Sequence, residues 1–161
     1  ALLALIAQAD FLAEQVEKLE AEILGWHKAS DASRRLATIP GVGPITASAI
    51  AASVPDASLF RSAHQFAAWL GLTPRAHSSG GKDRPTGISK QGDGYIRRLL
   101  VTGATAVLRF ARQSDVGKAW LVRLKDRKKP KVVAVAQANK AARIAWALLR
   151  RNEVYTAPTL G

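Results

Sequence analysis

The first 28 residues constrain the fold more than any other part of the chain. Apolar side chains recur every three or four positions from Leu2 to Trp26 without a break. This spacing is the heptad pattern of a coiled coil. It predicts one long helix over residues 2–28, on the order of 40 Å in length. We expect this helix to pair with a helix from a second copy of the chain or from a preceding domain. Packing against its own domain is the alternative.

The remainder of the chain is predicted to be helical as well, which makes the fold class all-α. Helical periodicity is interrupted by Gly and Pro, which separate the helices from one another. The predicted segments are a short helix pair around a Gly-rich turn (34–54), a helix capped by Ser62, a helix over 94–112, a short helix over 115–124, and a helix from Pro130 to about Arg151. The expected domains are a coiled-coil oligomerisation helix (1–30), a helical domain (31–151) and a loose tail (152–161).

Residues 72–92 break this helical pattern. Six prolines and glycines fall among basic residues here, with few apolar side chains between them: Pro74, Gly80, Gly81, Pro85, Gly87 and Gly92. A stretch of this kind inside a compact domain is usually functional or disordered. We predict a long basic loop or a small Gly-rich hairpin.

The distribution of charge favours a polyanionic partner. Residues 1–30 hold five acids and two bases, whereas residues 31–161 hold seven acids and 22 bases. Within the second part, residues 71–131 alone carry 15 bases and four acids. Such a concentrated positive field attracts nucleic acid, although charge by itself does not separate DNA from RNA. A solubilising surface is the less specific alternative.

Several classes of site are excluded or disfavoured by composition. The chain has no Cys, so it contains no disulfide, thiolate metal site or Cys nucleophile. Its three His are scattered and form no HExxH pair, so we predict no metal site in this chain. No apolar run reaches about 18 residues, so we expect no membrane span.

The turn from Ile39 to Gly43 has the helix-hairpin-helix pattern Ile-Pro-Gly-Val-Gly. Glycines allow the backbone to turn sharply and to approach a phosphate, and the next helix offers N–H groups at its positive end. The backbone at Gly41, Val42 and Gly43 is therefore a candidate DNA-phosphate site that reads no base. A plain turn between core helices is the competing interpretation.

The sequence Ser78-Ser79-Gly80-Gly81 in the basic loop is a weak signal for a nucleophile when taken alone. A catalytic Ser needs a route for its proton and positive charge to stabilise the phosphoryl oxygens. Nearby Lys and Arg supply the charge, but no carboxylate of the chain is an obvious base.

Five ordered blocks between Leu36 and Ala111 resemble one known domain. The blocks are Ile39-Pro40-Gly41-Val42-Gly43-Pro44, Phe66 to Arg75, Ser79-Gly80-Gly81-Lys82, Gly87 to Asp93, and Ile96-Arg97-Arg98-Leu99-Leu100. Together they resemble the C-terminal transposase domain of the insertion-sequence one-ten family, the bridge-RNA-guided recombinases. The coiled-coil helix and the trailing helices also resemble that family's layout.

The resemblance implies a role for individual residues. By motif position, Ser79 would be the nucleophile that attacks DNA and forms a phosphoserine link, with Ser78 its neighbour. The basic side chains expected to contact DNA or RNA phosphates are Arg75, Lys82, Arg84, Lys90, Arg97 and Arg98.

The resemblance also implies partners. A RuvC-like domain outside this chain would bind Mg²⁺, a guide RNA would supply target specificity, and residues 2–28 would join protomers. The protein would act in the bacterial or archaeal cytoplasm, at the nucleoid. The chain alone would bind nucleic acid without exchanging strands.

Three other interpretations compete with a transposase domain. The first is a non-catalytic helix-hairpin-helix module of a repair or replication protein, which shares the turn and the basic field. The second is a structural oligomerisation domain whose basic surface is incidental. The third is a role at a membrane surface, which the core-facing apolar stripes disfavour.

Overall fold

The computed structural model describes residues 1–75, 87–111 and 119–157, and this part of the chain is all-α, as predicted. Its helices are α1 (Leu2–Ala29), α2 (Asp31–Leu36), α3 (Pro44–Ser53), α4 (Ala63–Trp69), α5 (Gly94–Phe110), α6 (Ala119–Lys125) and α7 (Pro130–Arg151), with a 3-10 turn at Ala57–Leu59. No helix in these ranges is long and apolar enough to cross a membrane.

The long N-terminal helix is present, and it buries none of its residues. Its C-terminal end contacts α2 and α3. There, Ser30 ends α1 and its side chain caps α2 by accepting a hydrogen bond from the Ser33 N–H. His27 Nδ1 lies 2.7 Å from Ser33 Oγ, which lies 3.2 Å from Ser48 Oγ on α3. These hydrogen bonds fix the root of α1 to the domain.

Helix α7 is the centre of the domain and contacts α2, α4, α5, α6 and the 3-10 turn. Small side chains let neighbouring helices approach it closely, because Ala138, Ala142 and Ala145 are all fully buried. Helix α5 faces α7 with four buried residues at four-residue spacing: Ile96, Leu100, Ala104 and Leu108. The apolar stripe predicted for residues 94–112 is thus the core face of α5.

Helix α4 begins where the sequence predicted it. Ser62 Oγ accepts a hydrogen bond from the Gln65 N–H, and Gln65 Oε1 accepts one from the Arg61 N–H. Phe66 is fully buried, and its ring contacts those of Phe60 and Trp69. The aromatic cluster fixes α4 beside the start of the basic loop.

Two details differ from the sequence prediction. The short helix predicted over 115–124 is described over Ala119–Lys125, and residues 112–118 lie outside the described ranges. The tail was expected to be loose, but its described part, 152–157, is hydrogen-bonded to the domain. Tyr155 N–H donates to Thr38 Oγ1 at 2.8 Å, and Arg35 donates to Asn152 Oδ1 at 3.0 Å. The tail is held because the turn after α2 offers it polar partners, which no local pattern reveals.

Candidate functional site

The Gly-rich turn between α2 and α3 packs directly on α5. Gly41 has φ +86°, a left-handed conformation that favours glycine. A Cβ atom at Gly41 would lie 2.8 Å from Gly103 O, and one at Gly103 would lie 1.8 Å from Gly41 O. The backbones of the turn and of α5 therefore touch, and both glycines are required for that contact. This packing accounts for Gly41 without a phosphate.

The second half of the turn is more accessible. Gly43 is exposed, has open space around its Cα, and precedes Pro44 at the first position of α3. No side chain caps this helix. The Val42 side chain is buried in the core, and its N–H donates to Ile39 O at 2.9 Å, so Val42 keeps no N–H for a ligand. Within the turn, the geometry favours Gly43 and the first N–H groups of α3 as the contact surface.

The two ends of the basic loop meet in a short antiparallel pairing, which we call the loop base (residues 71–75 and 87–91). Pro74 and Ile88 form a β-bridge. The Arg75 N–H donates to Gly87 O at 3.3 Å, and the Ser89 N–H donates to Thr73 O at 2.9 Å. The residues on either side of the basic loop are therefore paired. Residues 76–86, which include Ser78, Ser79, Lys82 and Arg84, lie outside the described ranges.

Arg97 of α5 joins the two sides of the loop base. Its Nη1 donates to Leu70 O and to Gln91 O, each at 3.0 Å. The loop base also lies close to the end of α4 at Gly92, because a Cβ atom there would lie 1.8 Å from Trp69 O. The sequence predicted a phosphate contact for Arg97, whereas one of its guanidinium nitrogens is engaged by backbone carbonyls. Arg97 is placed to position the loop.

Three other predicted basic residues are described, and all three are exposed. Arg75 and Lys90 flank the loop base, and Arg75 Nη2 lies 3.4 Å from Ser89 O. Arg98 is exposed on α5, one residue after Arg97. The structure thus places Arg75, Lys90 and Arg97 at the loop base, next to the start of α5, whereas the turn at Gly41 to Gly43 contacts α5 further along.

Two supporting residues were missed by the sequence analysis as parts of the site. Asp93 caps α5 by accepting hydrogen bonds from the N–H groups of Tyr95 and Ile96. An Asp before a helical stripe is a recognisable start signal. Asn139 of α7 donates from Nδ2 to Leu72 O at 3.1 Å. No sequence pattern connects two residues so far apart in the chain.

The site contains no metal centre in the part of the chain that is described. No group of three or more His, Asp or Glu side chains is placed there to hold an ion.

Known proteins resemble most of this chain. The y4pF/y4sB protein of Sinorhizobium fredii, which is named as a transposase, is 49% identical over 146 residues, covering 89% of this chain and 38% of that protein. The transposase for insertion sequence element IS1111A of Coxiella burnetii is 43% identical over 143 residues, covering 88% and 39%. The pilin gene-inverting protein of Moraxella bovis is 31% identical over 122 residues, covering 74% and 37%.

The chain spans about two fifths of the length of these curated relatives. The matching family is described as the transposase IS116/IS110/IS902 family, and its sequence profile covers residues 33–117. That range includes the Gly-rich turn, the loop base and the whole of α5. The site described above therefore lies within the region that defines the family, and the chain belongs to the IS116/IS110/IS902 transposase family.

Proposed function

We propose that this chain is the part of a transposase that binds DNA and supplies a Ser nucleophile for strand cleavage and exchange. The observation that carries the proposal is the loop base. Its hydrogen bond from the Arg75 N–H to Gly87 O holds the residues before and after 76–86 side by side, and Lys90 belongs to the same pairing. Ser79 belongs to that segment, within the range that the family profile matches.

The proposed reaction is a transesterification. Ser79 Oγ attacks the phosphorus of a DNA phosphodiester, a P–O bond forms, and the bond to the leaving deoxyribose oxygen breaks. The Ser proton passes to a base outside the described residues, and the leaving oxygen takes up a proton. The phosphoserine link retains the energy of the broken phosphodiester, so the strand can be rejoined to a new partner without ATP.

Positive side chains have two roles in this proposal. Arg75, Lys82, Arg84, Lys90 and Arg98 contact DNA or RNA phosphates and offset the charge on the reacting group. Arg97 supports them through its bonds to Leu70 O and Gln91 O, which fix the loop base. The turn from Gly41 to Gly43 contacts a second phosphate through Gly43 and the first N–H groups of α3.

The proposal includes partners outside the chain. Residues 2–28 join two protomers, a guide RNA supplies target specificity, and a RuvC-like domain of the full-length protein holds Mg²⁺. The chain by itself binds nucleic acid but does not exchange strands. The setting is the bacterial or archaeal cytoplasm, at the nucleoid. The domain limits 1–30, 31–151 and 152–161 are part of the same proposal.

A relative adds support for strand exchange as the reaction class. The Moraxella bovis protein is named for inverting a pilin gene, an outcome that requires strands to be cut and rejoined. A non-catalytic helix-hairpin-helix module remains the second candidate. The exposed Gly43 at an uncapped helix start favours it, since that surface can hold DNA without any covalent step.

The deciding experiment seeks a covalent adduct. The full-length transposase, its guide RNA and a nicked suicide DNA substrate are mixed, and DNA-linked peptides spanning Pro74–Lys90 are identified by denaturing gel and mass spectrometry. We expect an adduct on Ser79 that disappears in Ser79→Ala and persists in the matched control Ser78→Ala. Salt-sensitive DNA binding without an adduct would favour the non-catalytic module.

A further inference from the structure

An open groove runs between the loop base and α7. It has a volume of about 860 Å³, which is large enough for more than one nucleotide-sized group. One wall is the loop base, with Leu72, Pro74 and Ile88. The other wall is the N-terminal half of α7, with Val132 and Val135. The groove therefore borders the loop base, whose two sides flank residues 76–86 in the chain.

The charge around this groove has one sign. Lys90, Lys128 and Lys131 line it, and the described lining residues include no carboxylate. Lys128 and Lys131 come from the basic run that joins α6 to α7, which has no role in the proposed reaction. Three ammonium groups on an apolar surface are suited to a ligand that carries regularly spaced anionic groups and flat apolar faces.

The groove continues along α7 into a second cavity of about 540 Å³. Ala136 and Asn139 line both cavities. The second is lined further on by Trp120, Lys140 and Arg143. Lys140 Nζ lies 4.5 Å from the centre of the Trp120 ring, and partial burial lowers the pKa of its ammonium group. The basic, partly aromatic surface thus extends about 24 Å along the helix, from Lys131 to Ala147.

We propose that this groove binds unpaired nucleotides of the DNA strand that flanks the cleaved phosphate. The inference rests on the proposed function for the location of cleavage. A stacked duplex would turn only its phosphates toward the groove and leave the apolar walls uncovered. An unpaired strand offers base faces to Pro74, Ile88 and Val132 and phosphates to the Lys side chains.

The chemistry of the lining favours DNA over RNA. A protein distinguishes RNA through its 2′-hydroxyl groups, which are hydrogen-bond donors and acceptors. Apart from its three lysines, the described lining offers only His64, Thr73 and Asn139 to such groups, and the Asn139 Nδ2 is already bonded to Leu72 O. An apolar lining therefore suits deoxyribose.

Fluorescence anisotropy of the 161-residue chain tests the proposal. The probes are a labelled oligothymidylate of about ten nucleotides, the oligouridylate of the same length, and a duplex of that length. We expect the oligothymidylate to bind most tightly. Lys128→Gln with Lys131→Gln should weaken its binding about tenfold or more and reduce the salt slope by about 1.4, since each single-strand phosphate contact contributes about 0.7.

The control is Lys18→Gln with Lys28→Gln, which removes the same charge from α1. It should change the affinity by less than about twofold, because exposed charges far from the ligand are screened. Val132→Asn keeps the charge and alters a side chain that is 53% exposed, so folding should be little affected. We expect it to weaken oligothymidylate binding about fivefold and to leave duplex binding unchanged.

Three results would overturn the proposal. One is an equal loss of oligothymidylate affinity in the Lys128/Lys131 and Lys18/Lys28 double variants. Another is a duplex that binds as tightly as the single strand while Val132→Asn has no effect. The third is tighter binding of oligouridylate, which would assign the groove to RNA. None of these depends on an adduct at Ser79, so the groove and the nucleophile are tested separately.

Discussion

The two long helices of the chain have opposite relations to the protein interior. Helix α7 has 22 residues and buries eight of them, five of which are alanines. Helix α1 has 28 residues and buries none. Yet α1 is the richer of the two in large apolar side chains, and Leu2, Leu5, Leu12, Val16 and Leu19 are each more than half exposed.

The comparison teaches that apolar content does not by itself decide which helix belongs to the core. Ala-rich α7 is buried because its small side chains let α4, α5 and α6 pack against its backbone. The Leu-rich seam of α1 projects beyond the domain and contacts it only near its C-terminal end. Exposed apolar surface of this extent marks an interaction site, which supports the proposed pairing of protomers.

The largest expected difference between the helices is the effect of the same truncation on stability. Leu148→Ala in α7 should lower the free energy of unfolding by about 2–5 kcal/mol, because Leu148 packs in the core. Leu12→Ala in α1 should change it by less than about 0.5 kcal/mol in dilute solution, where Leu12 is solvated. Urea unfolding measures both, and equal losses would place α1 in the core.

A smaller difference is expected when a side chain is enlarged. Ala142→Leu should cost about 1–3 kcal/mol, since Ala142 is fully buried and its neighbours would have to move. Ala13→Leu is the matched change at an exposed position of α1 and should be nearly neutral. Thermal unfolding followed by circular dichroism compares the two variants. If Ala142→Leu left the stability unchanged, α7 would be loosely packed.

The next prediction concerns self-association rather than folding. Leu12→Glu should weaken association about tenfold or more, because the charge would be buried in the seam between helices. Glu14→Gln lies on the opposite side of the helical repeat and should leave association nearly unchanged. Sedimentation velocity across a concentration series reports both. Unaltered association of Leu12→Glu would exclude the seam as the interface.

The smallest effect is expected where α1 joins the domain. Ser33→Ala removes a fully buried hydroxyl that is hydrogen-bonded to His27 and close to Ser48. We expect a loss of about 1 kcal/mol and faster hydrogen exchange at the end of α1. Ser53→Ala, at an exposed position of α3, is the control. Unchanged exchange in Ser33→Ala would show that apolar contacts alone hold α1.

Most of the helices could be predicted from sequence because their signals are local. The α1 seam, the Ser62 cap and Pro130 at the start of α7 all act within a few residues. For the loop base, the sequence did not decide between a long loop and a small hairpin, because Arg97 and Asn139 hold it from distant parts of the chain. The attachment of the tail was missed for the same reason, because its hydrogen-bond partners Thr38 and Arg35 each lie 117 positions away.

Within the candidate site, the sequence left the role of Gly41 open. Its sequence context fits a phosphate contact and a tight turn equally well, and only the neighbouring backbone of Gly103 reveals its packing role. Arg97 is similar, because the sequence predicts anion binding there and gives no sign of the carbonyl partners of Nη1. The assignment of Ser79 still depends on its motif and on the proposed adduct experiment.

The contacts of α5 have a mechanical consequence. The loop base is attached at Arg97 and the Gly-rich turn at Gly103, six positions later on one continuous helix, a rise of about 9 Å. Because a helix resists stretching over so short a length, the two attachments keep a constant separation. Helix α5 therefore fixes the distance between the loop base and the Gly-rich turn. In the proposed function, a nucleic acid bound at both places would be contacted at two points a constant distance apart, whatever its base sequence.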